Sequence, residues 1–255
     1  RIATSFSRIN VDIPQGQIEL LGALLKTGKP VIMVLFAGRP LTIKWESENV
    51  PVILNVWFGG SEAGYAIADV LFGDVNPSGK LTSTFPQNIG QVPIYYAHKN
   101  TGRPLPQGKW FEKFRSNYLD VSNDPLYPFG YGLSYTTFDY SDLKLSQKTI
   151  KNNETITVSV IIKNSGKIKG EEVVQLYLRD KVGSVVRPVI ELKDFQKIAL
   201  NPGESKTIQF VIDNQKLSFY NNTLDFVSEP GDFDLMIGSS SADIRLKDSF
   251  VLIKG

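Results

Sequence analysis

Cysteine is absent from the 255-residue sequence, and histidine occurs once, at His98. Without cysteine there can be no disulfide, no thiol nucleophile and no Cys-ligated zinc. A single histidine excludes a multi-histidine metal site and any Ser/His triad that is not built around His98. The sequence also contains no Gly-x-Ser-x-Gly motif. We therefore expect no metal ion and no other cofactor.

Long apolar runs and blocks of like charge are missing as well. No run reaches the roughly 18 residues that a membrane-spanning helix needs. The formal net charge is +2, with basic and acidic residues interspersed, which argues against nucleic acid as a partner. The first residues, 1–5, lack signal-peptide features. The hydrophobic content is 42%, and this length and composition fit one large or two ordinary domains.

The first part of the chain alternates between helix and strand patterns. In residues 14–28, Ile18, Leu21, Leu24 and Leu25 share one helical face, and Gly28 suits the left-handed position that ends a helix. Apolar runs without alternation follow at 31–36 and 50–56, which predicts parallel strands buried on both faces.

A second helix is predicted to follow these strands. Ser61 is suited to cap its N-terminus, Glu62 would lie in the first turn, and Gly73 would end it. A turn at 77–79 then leads into a predicted short strand at 80–85. Tight joints between helices and strands predict an α/β layered domain, which we assign to residues 1–115.

Residues 86–137 have a different composition. Proline, glycine, asparagine and aromatic residues are frequent there, and apolar periodicity is lost. Large aromatic side chains can immobilise irregular backbone by packing against it. We therefore predict an ordered, aromatic-rich connection at residues 116–137 rather than a flexible tether.

From Phe138 onward the apolar residues alternate with period two. The predicted strands lie at 155–164, 172–179, 192–200, 205–212, 224–227 and 233–238, separated by turn residues. Repeated short alternating strands predict an antiparallel β-sandwich of the immunoglobulin or fibronectin type III-like kind over residues 138–255.

A run of special residues at 56–85 carries a family resemblance. It includes Gly59-Gly60-Ser61-Glu62 and a later Asn-Pro-Ser-Gly-Lys, and further motifs lie in order at 38–40, 93–96, 101–104 and 127–136. Together they resemble the second-domain signature of glycoside hydrolase family 3, the β-glucosidase-like enzymes. The elements at 164–166, 173–177 and 200–205 resemble the fibronectin type III-like domain that closes many members.

The resemblance implies the C-terminal part of a retaining, exo-acting β-glycosidase that acts on a β-linked oligosaccharide or glycoside. Members carry an aspartate nucleophile on an N-terminal barrel domain, which we do not find here. The acid/base glutamate of related sequences aligns with Ala3-Thr4. We therefore expect the chain to be inactive alone and name no catalytic residue. The resemblance also implies a periplasmic or secreted protein. The alternative is a non-catalytic carbohydrate-binding or scaffold module.

Several side chains have both a functional and a structural interpretation. Trp57, Tyr95 and Tyr96 could stack on sugar rings, or they could pack within the protein. Glu62 could serve as an acid, although pairing with a helix dipole explains it as well. Arg39, Arg103 and His98 are each expected to make local hydrogen bonds in loops.

Overall fold

The computed structural model describes residues 9–105 and 109–254. They form two compact units. The first contains residues up to Val75 together with Ser83–Ile94 and Asn117–Tyr127, and the second contains Asn76–Thr82, Tyr95–Ser116 and the chain from Pro128 onward. The predicted fold class, an α/β domain followed by a β-sandwich, is confirmed. The predicted boundaries at 115 and 137 stay a prediction.

The first unit is built around a small parallel sheet. Strand β1 (Ile32–Leu35) pairs with β2 (Val52–Asn55), and Ile32 lies opposite Val52. The helices are α1 (Gln15–Leu25), α2 (Lys44–Asn49) and α3 (Ala63–Phe72), and a 3₁₀ turn spans Ile89–Gln91. The parallel pairing was predicted, whereas α2 was not, because six residues are too few to show a helical period.

Left-handed glycines follow two helices, as predicted: Gly73 is the C-cap of α3, whereas α1 ends earlier, at Leu25 with Lys26 as its C-cap, and Gly28 lies just beyond. Gly28 and Gly73 adopt left-handed backbone with φ of 71° and 86°, a conformation that glycine takes without steric cost. The predicted start of α3 is wrong by one residue, because Glu62 rather than Ser61 is its N-cap and makes no side-chain capping bond. The Ala63 amide donates to the Gly60 carbonyl, so a turn precedes the helix.

The predicted strand at 80–85 is wrong. Leu81 exchanges backbone hydrogen bonds with Gly130 and Tyr131, and Phe85 forms a separate bridge with Tyr127. A bend at 82–83 interrupts the pairing, so no continuous ladder forms.

The second unit is the β-sandwich. Its strands and one short helix are β3 (Phe138–Leu145), β4 (Thr149–Lys151), β5 (Ile156–Asn164), β6 (Gly170–Asp180), β7 (Glu191–Leu200), β8 (Ser205–Ile212), α4 (Asn214–Leu217), β9 (Phe219–Tyr220), β10 (Phe226–Val227), β11 (Gly231–Gly238) and β12 (Ile244–Ile253). The larger sheet has the strand order β4-β12-β11-β6-β7, and the smaller sheet has the order β3-β5-β8. All neighbours in these two sheets are antiparallel except β12 and β4.

Alternating side chains from both sheets fill the sandwich core. Strand β5 buries Ile156, Val158, Val160 and Ile162, and β6, β8, β11 and β12 contribute further buried residues. Each fully buried aliphatic side chain stabilises the fold by about 1.5–3 kcal/mol relative to exposure. Period-two burial therefore accounts for the stability of this unit.

The first unit buries much less of its apolar surface. No residue of α1 or α3 is buried, and Ile32 and Val52 are about half exposed, at 48% and 47%. The prediction that both strands are buried on both faces is therefore wrong for this structure. The physical reason is that a two-stranded sheet offers few neighbouring strands and little covering layer.

Candidate functional site

Two loops meet beyond the carboxyl ends of β1 and β2. A Cβ atom on Gly38 would lie 2.9 Å from the Phe58 ring, so only glycine fits there without displacing that ring. Open α/β sheets usually bind ligands beyond the carboxyl ends of their parallel strands. The loops at 36–40 and 56–61 are therefore the candidate site of the first unit.

Trp57 occupies a constrained position in this candidate site. Its φ is 48°, which is uncommon for a bulky residue, and its ring lies 5.7 Å from that of Phe85 at a tilt of 50°. Phe85 in turn contacts Tyr127 edge-on. Trp57 is thus half-buried and held in place, while neighbouring Phe58 is 63% exposed. Strained backbone of this kind is often found at functional sites.

Arg39 and Arg103 differ from expectation. Both side chains are exposed, and within residues 9–105 and 109–254 neither makes a hydrogen bond or ion pair. The prediction that they tie loops together is therefore wrong. Arg39 lies in the loop after β1 and leaves a free guanidinium at the candidate site.

Tyr95 and Tyr96 belong to the second unit and differ from each other. Tyr96 stacks on Phe129 at 4.2 Å, meets Tyr177 edge-on at 6.3 Å, and accepts a hydrogen bond from the Leu192 amide. Tyr95 is 66% exposed. The Tyr96 ring thus packs within the second unit. The three residues predicted to stack on sugar are divided between the units, with Trp57 in the first and Tyr95 and Tyr96 in the second.

His98 makes the local contact that was expected of it. Its Nδ1 lies 3.3 Å from the Lys99 carbonyl oxygen, and its own carbonyl accepts a hydrogen bond from the Val189 amide. The ring is exposed. Ala3-Thr4, the position that aligns with the acid/base glutamate, lies outside the described residues.

Glu46 is a buried carboxyl group that sequence reasoning missed. Its residue is 2% exposed, and burial, with a contribution from the Asp12 charge, raises its pKa. It lies in the short helix α2, whose length conceals which face is inward. The only sequence signal is its place between the apolar residues Ile43 and Val50, which are both buried.

Replacing Glu46 by glutamine is expected to stabilise the first unit at neutral pH. Because the folded-state pKa is raised, the carboxyl contributes stability below its ordinary value of 4.5 and loses it as pH rises through the folded value. In a Trp110→Phe background, which leaves only Trp45 and Trp57 of the first unit to fluoresce, urea midpoints should be higher for Glu46→Gln at pH 7 and converge with the protein that keeps Glu46 near pH 4. Glu48→Gln is the control, since Glu48 is exposed in its pair with Lys44. Equal midpoints at pH 7 would contradict the expectation.

Two buried ionic clusters in the second unit were also missed. Lys80 Nζ lies 3.0 Å from Glu172 Oε1, and Arg187 Nε lies 3.2 Å from Asp180 Oδ2. Burial raises the pKa of Asp180, and Arg187 opposes that shift. The sequence did contain a signal for the burial of Glu172. It lies two residues before Val174 in the alternation of β6, on the same inward face as Val174 and Leu176.

Across 9–105 and 109–254, no group of three or more His, Cys, Asp and Glu is arranged to hold a metal ion. Nor does any helix in those ranges have the length and apolar character to cross a membrane.

Comparison with known proteins identifies both parts of the chain. Residues 3–135 match the glycosyl hydrolase family 3 C-terminal domain, and residues 172–241 match a fibronectin type III-like domain. The chain therefore combines a family 3 C-terminal domain with a fibronectin type III-like domain. It belongs to glycoside hydrolase family 3, as its motifs predicted.

Individual relatives agree with this assignment. The chain is 51% identical to a periplasmic beta-glucosidase of Salmonella typhimurium, over 97% of this chain and 32% of that protein. It is 46% identical to a beta-xylosidase of Formosa agariphila, over 97% and 33%. A crystal structure of beta-glucosidase from Listeria innocua in complex with glucose superposes with a TM-score of 0.91 at 44% identity, over 95% and 33%. The chain thus spans about a third of the length of these relatives.

Proposed function

We propose that this chain is the C-terminal part of a retaining, exo-acting β-glycosidase that hydrolyses terminal β-linked sugars. The observation that carries the proposal is the order of its two domains, matched over nearly the whole chain in a beta-glucosidase and a beta-xylosidase. Retaining glycosidases need two carboxyl groups about 5–5.5 Å apart. We assign neither to this chain, which instead supplies one wall of the sugar site.

The proposed partner of the first unit is the N-terminal barrel domain of the same enzyme. Helices α1 and α3 bury no residue, and Tyr65 and Phe72 of α3 are 75% and 85% exposed. Exposed large apolar side chains of this kind are typical of an interaction site. The exposed faces of α1, α3 and the parallel sheet support docking of further polypeptide there.

Within the proposed enzyme, Trp57 and Arg39 would contact sugar at the edge of the site. Trp57 offers a fixed ring, and Arg39 offers unpaired donors for sugar hydroxyls. Tyr95 offers a second exposed ring, whereas Tyr96 would contribute only by positioning its neighbours. We place the enzyme in the periplasm or outside the cell, because one relative is a periplasmic beta-glucosidase.

The proposal is tested on the natural gene product rather than on the isolated chain. Intact mass spectrometry should give a protein about three times as long, and that protein should turn over aryl β-glucosides or β-xylosides. A natural product of only 28.4 kDa without hydrolytic activity would overturn the proposal. It would favour the alternative, a non-catalytic carbohydrate-binding or scaffold module.

Hydrogen exchange should show a large difference between the two units of the isolated chain. We expect amides of α1 and α3 to exchange through low-energy local opening, because these helices bury no side chain. Amides of β5 and β6, which line the core, should require global unfolding and serve as the internal reference. Equal protection of α3 and β6 would show that the first unit is stable without a partner.

A further inference from the structure

A short aromatic ribbon projects from the second unit. Strands β9 and β10 are antiparallel, with Tyr220 opposite Phe226 and Phe219 opposite Val227. The inner residue Phe219 is buried, and the Arg187 guanidinium lies 3.9 Å from its ring centroid. On the other face, Tyr220 and Phe226 are 66% and 50% exposed. The ribbon is therefore anchored by one face and bare on the other.

The turn that joins the two strands is tightly held. Asn221 Oδ1 accepts hydrogen bonds from the amides of Thr223 and Asp225, each at 2.9 Å. The Thr223 hydroxyl lies 2.6 Å from Asp225 Oδ2. This network holds Leu224 in left-handed backbone with φ of 64°, although its side chain is 79% exposed. An unfavourable backbone that presents an apolar side chain to solvent is an outlier that suggests a function.

The base of the ribbon is also fixed. The Ser184 amide donates to Glu229 Oε2 at 2.7 Å, which ties the chain after β10 to the loop after β6. The exposed rings therefore have little freedom to lose on binding, and such preorganisation favours affinity.

We propose that the outer face of this ribbon binds a β-linked glycan chain; we call it the hairpin platform and define it by Tyr220, Leu224 and Phe226. The ring centroids of Tyr220 and Phe226 are 5.1 Å apart and their planes are tilted by 47°, so the two rings pack against each other and leave exposed ring surface against which a sugar can lie. Exposed polar side chains, Asn222 and Asp225, flank the rings and match the hydroxyl rim of a sugar. The sugar class rests on the proposed glycosidase function.

The size of the platform distinguishes a glycan from a protein partner. A stable protein interface buries about 800 Å² on each partner, whereas an aromatic side chain buries about 150–250 Å². Three partly exposed side chains fall well short of the protein requirement and suffice for one or two sugar rings. Cross-strand aromatic pairs also stabilise hairpins, but that role does not explain the exposure of Leu224.

Affinity electrophoresis of the full 255-residue chain in gels that contain soluble β-glucan or xylan tests the proposal. The chain should be retarded by one of the two polysaccharides. Tyr220→Ala and Phe226→Ala should each weaken binding about tenfold, the upper range for loss of one ring contact. Tyr220→Trp, which keeps a ring, should retain binding.

Phe195→Ala is the matched control, because Phe195 is an exposed aromatic of β7 at 59%. It should leave retardation unchanged. The proposal is overturned if the chain is not retarded by either polysaccharide, or if retardation persists in both alanine variants. Self-association that is lost in the variants, without glycan binding, would assign the platform to protein contact instead. Because binding needs no hydrolysis, failure here is distinct from failure of the natural gene product to turn over glycosides.

Discussion

The isolated chain should show no turnover of aryl β-glucosides or β-xylosides, even at high protein concentration. General acid catalysis contributes about 10²- to 10⁴-fold, and loss of the nucleophile also removes the covalent route of a retaining enzyme. The family resemblance places the nucleophile on a barrel domain and the acid/base at a position occupied here by Ala3-Thr4. Circular dichroism should nevertheless show folded protein, because the sandwich has its own core.

Glu62→Gln is the decisive control for that result. Glu62 is the exposed N-cap of α3 and makes no side-chain capping bond, so its replacement should affect neither folding nor the absence of activity. Reproducible turnover by the chain that disappears in Glu62→Gln would contradict the prediction. It would also make Glu62 the acid, rather than a residue that only complements the helix dipole.

Lys80→Met should destabilise the second unit by about 3–5 kcal/mol, the usual cost of removing one partner from a buried ion pair. The side chains of Lys80 and Glu172 are only 13% and 7% exposed. Burial and the nearby Glu172 charge also raise the pKa of Tyr140, which keeps that hydroxyl neutral. Without Lys80, the Glu172 carboxylate would lose its ion-pair partner inside the unit.

The adjacent residue on β6 provides a matched control. Glu171 pairs with Lys197 at 2.6 Å, but their side chains are 44% and 51% exposed. Surface pairs contribute about 0–1 kcal/mol, so Lys197→Met should change stability little. Urea unfolding followed by near-ultraviolet circular dichroism separates the two cases. In the double variant Lys80→Met/Glu172→Met much of the loss should be recovered; equal effects of Lys80→Met and Lys197→Met would contradict the argument.

The sandwich was predictable because in strands such as β5 every second residue is buried, and most of these residues are apolar in the sequence. Residues 156, 158, 160 and 162 are all apolar and all buried, so the alternation identified β5 and its neighbours directly. The strand β12 was not predicted, since Asp248 stands at an inward position and interrupts the alternation of apolar residues. The two-residue strand β9 is below the length at which a period can be recognised, whereas β10 lies within the predicted strand at 224–227.

The first unit was predicted less well, for a different reason. The runs at 31–36 and 50–56 read as fully buried strands, and they pair in parallel as expected, yet Ile32 and Val52 remain half exposed. The apolar composition of these two strands suits a sheet that is covered on both faces. The described residues of the first unit do not provide that cover. The candidate site shows the same limit: Trp57 was found from its motif, but its strained backbone and the free Arg39 depend on loop geometry that no local pattern encodes.

The chain passes five times between the two units, because their six segments alternate along the sequence. A sandwich excised as residues 138–255 would lack Asn76–Thr82 and, with it, Lys80, the counter-ion of Glu172. It would also lack Tyr96 and Phe129, which cover Tyr177. The fibronectin type III-like part is thus poorly suited to transfer as an independent cassette, and recombination or domain grafting would have to carry the preceding segments along with it.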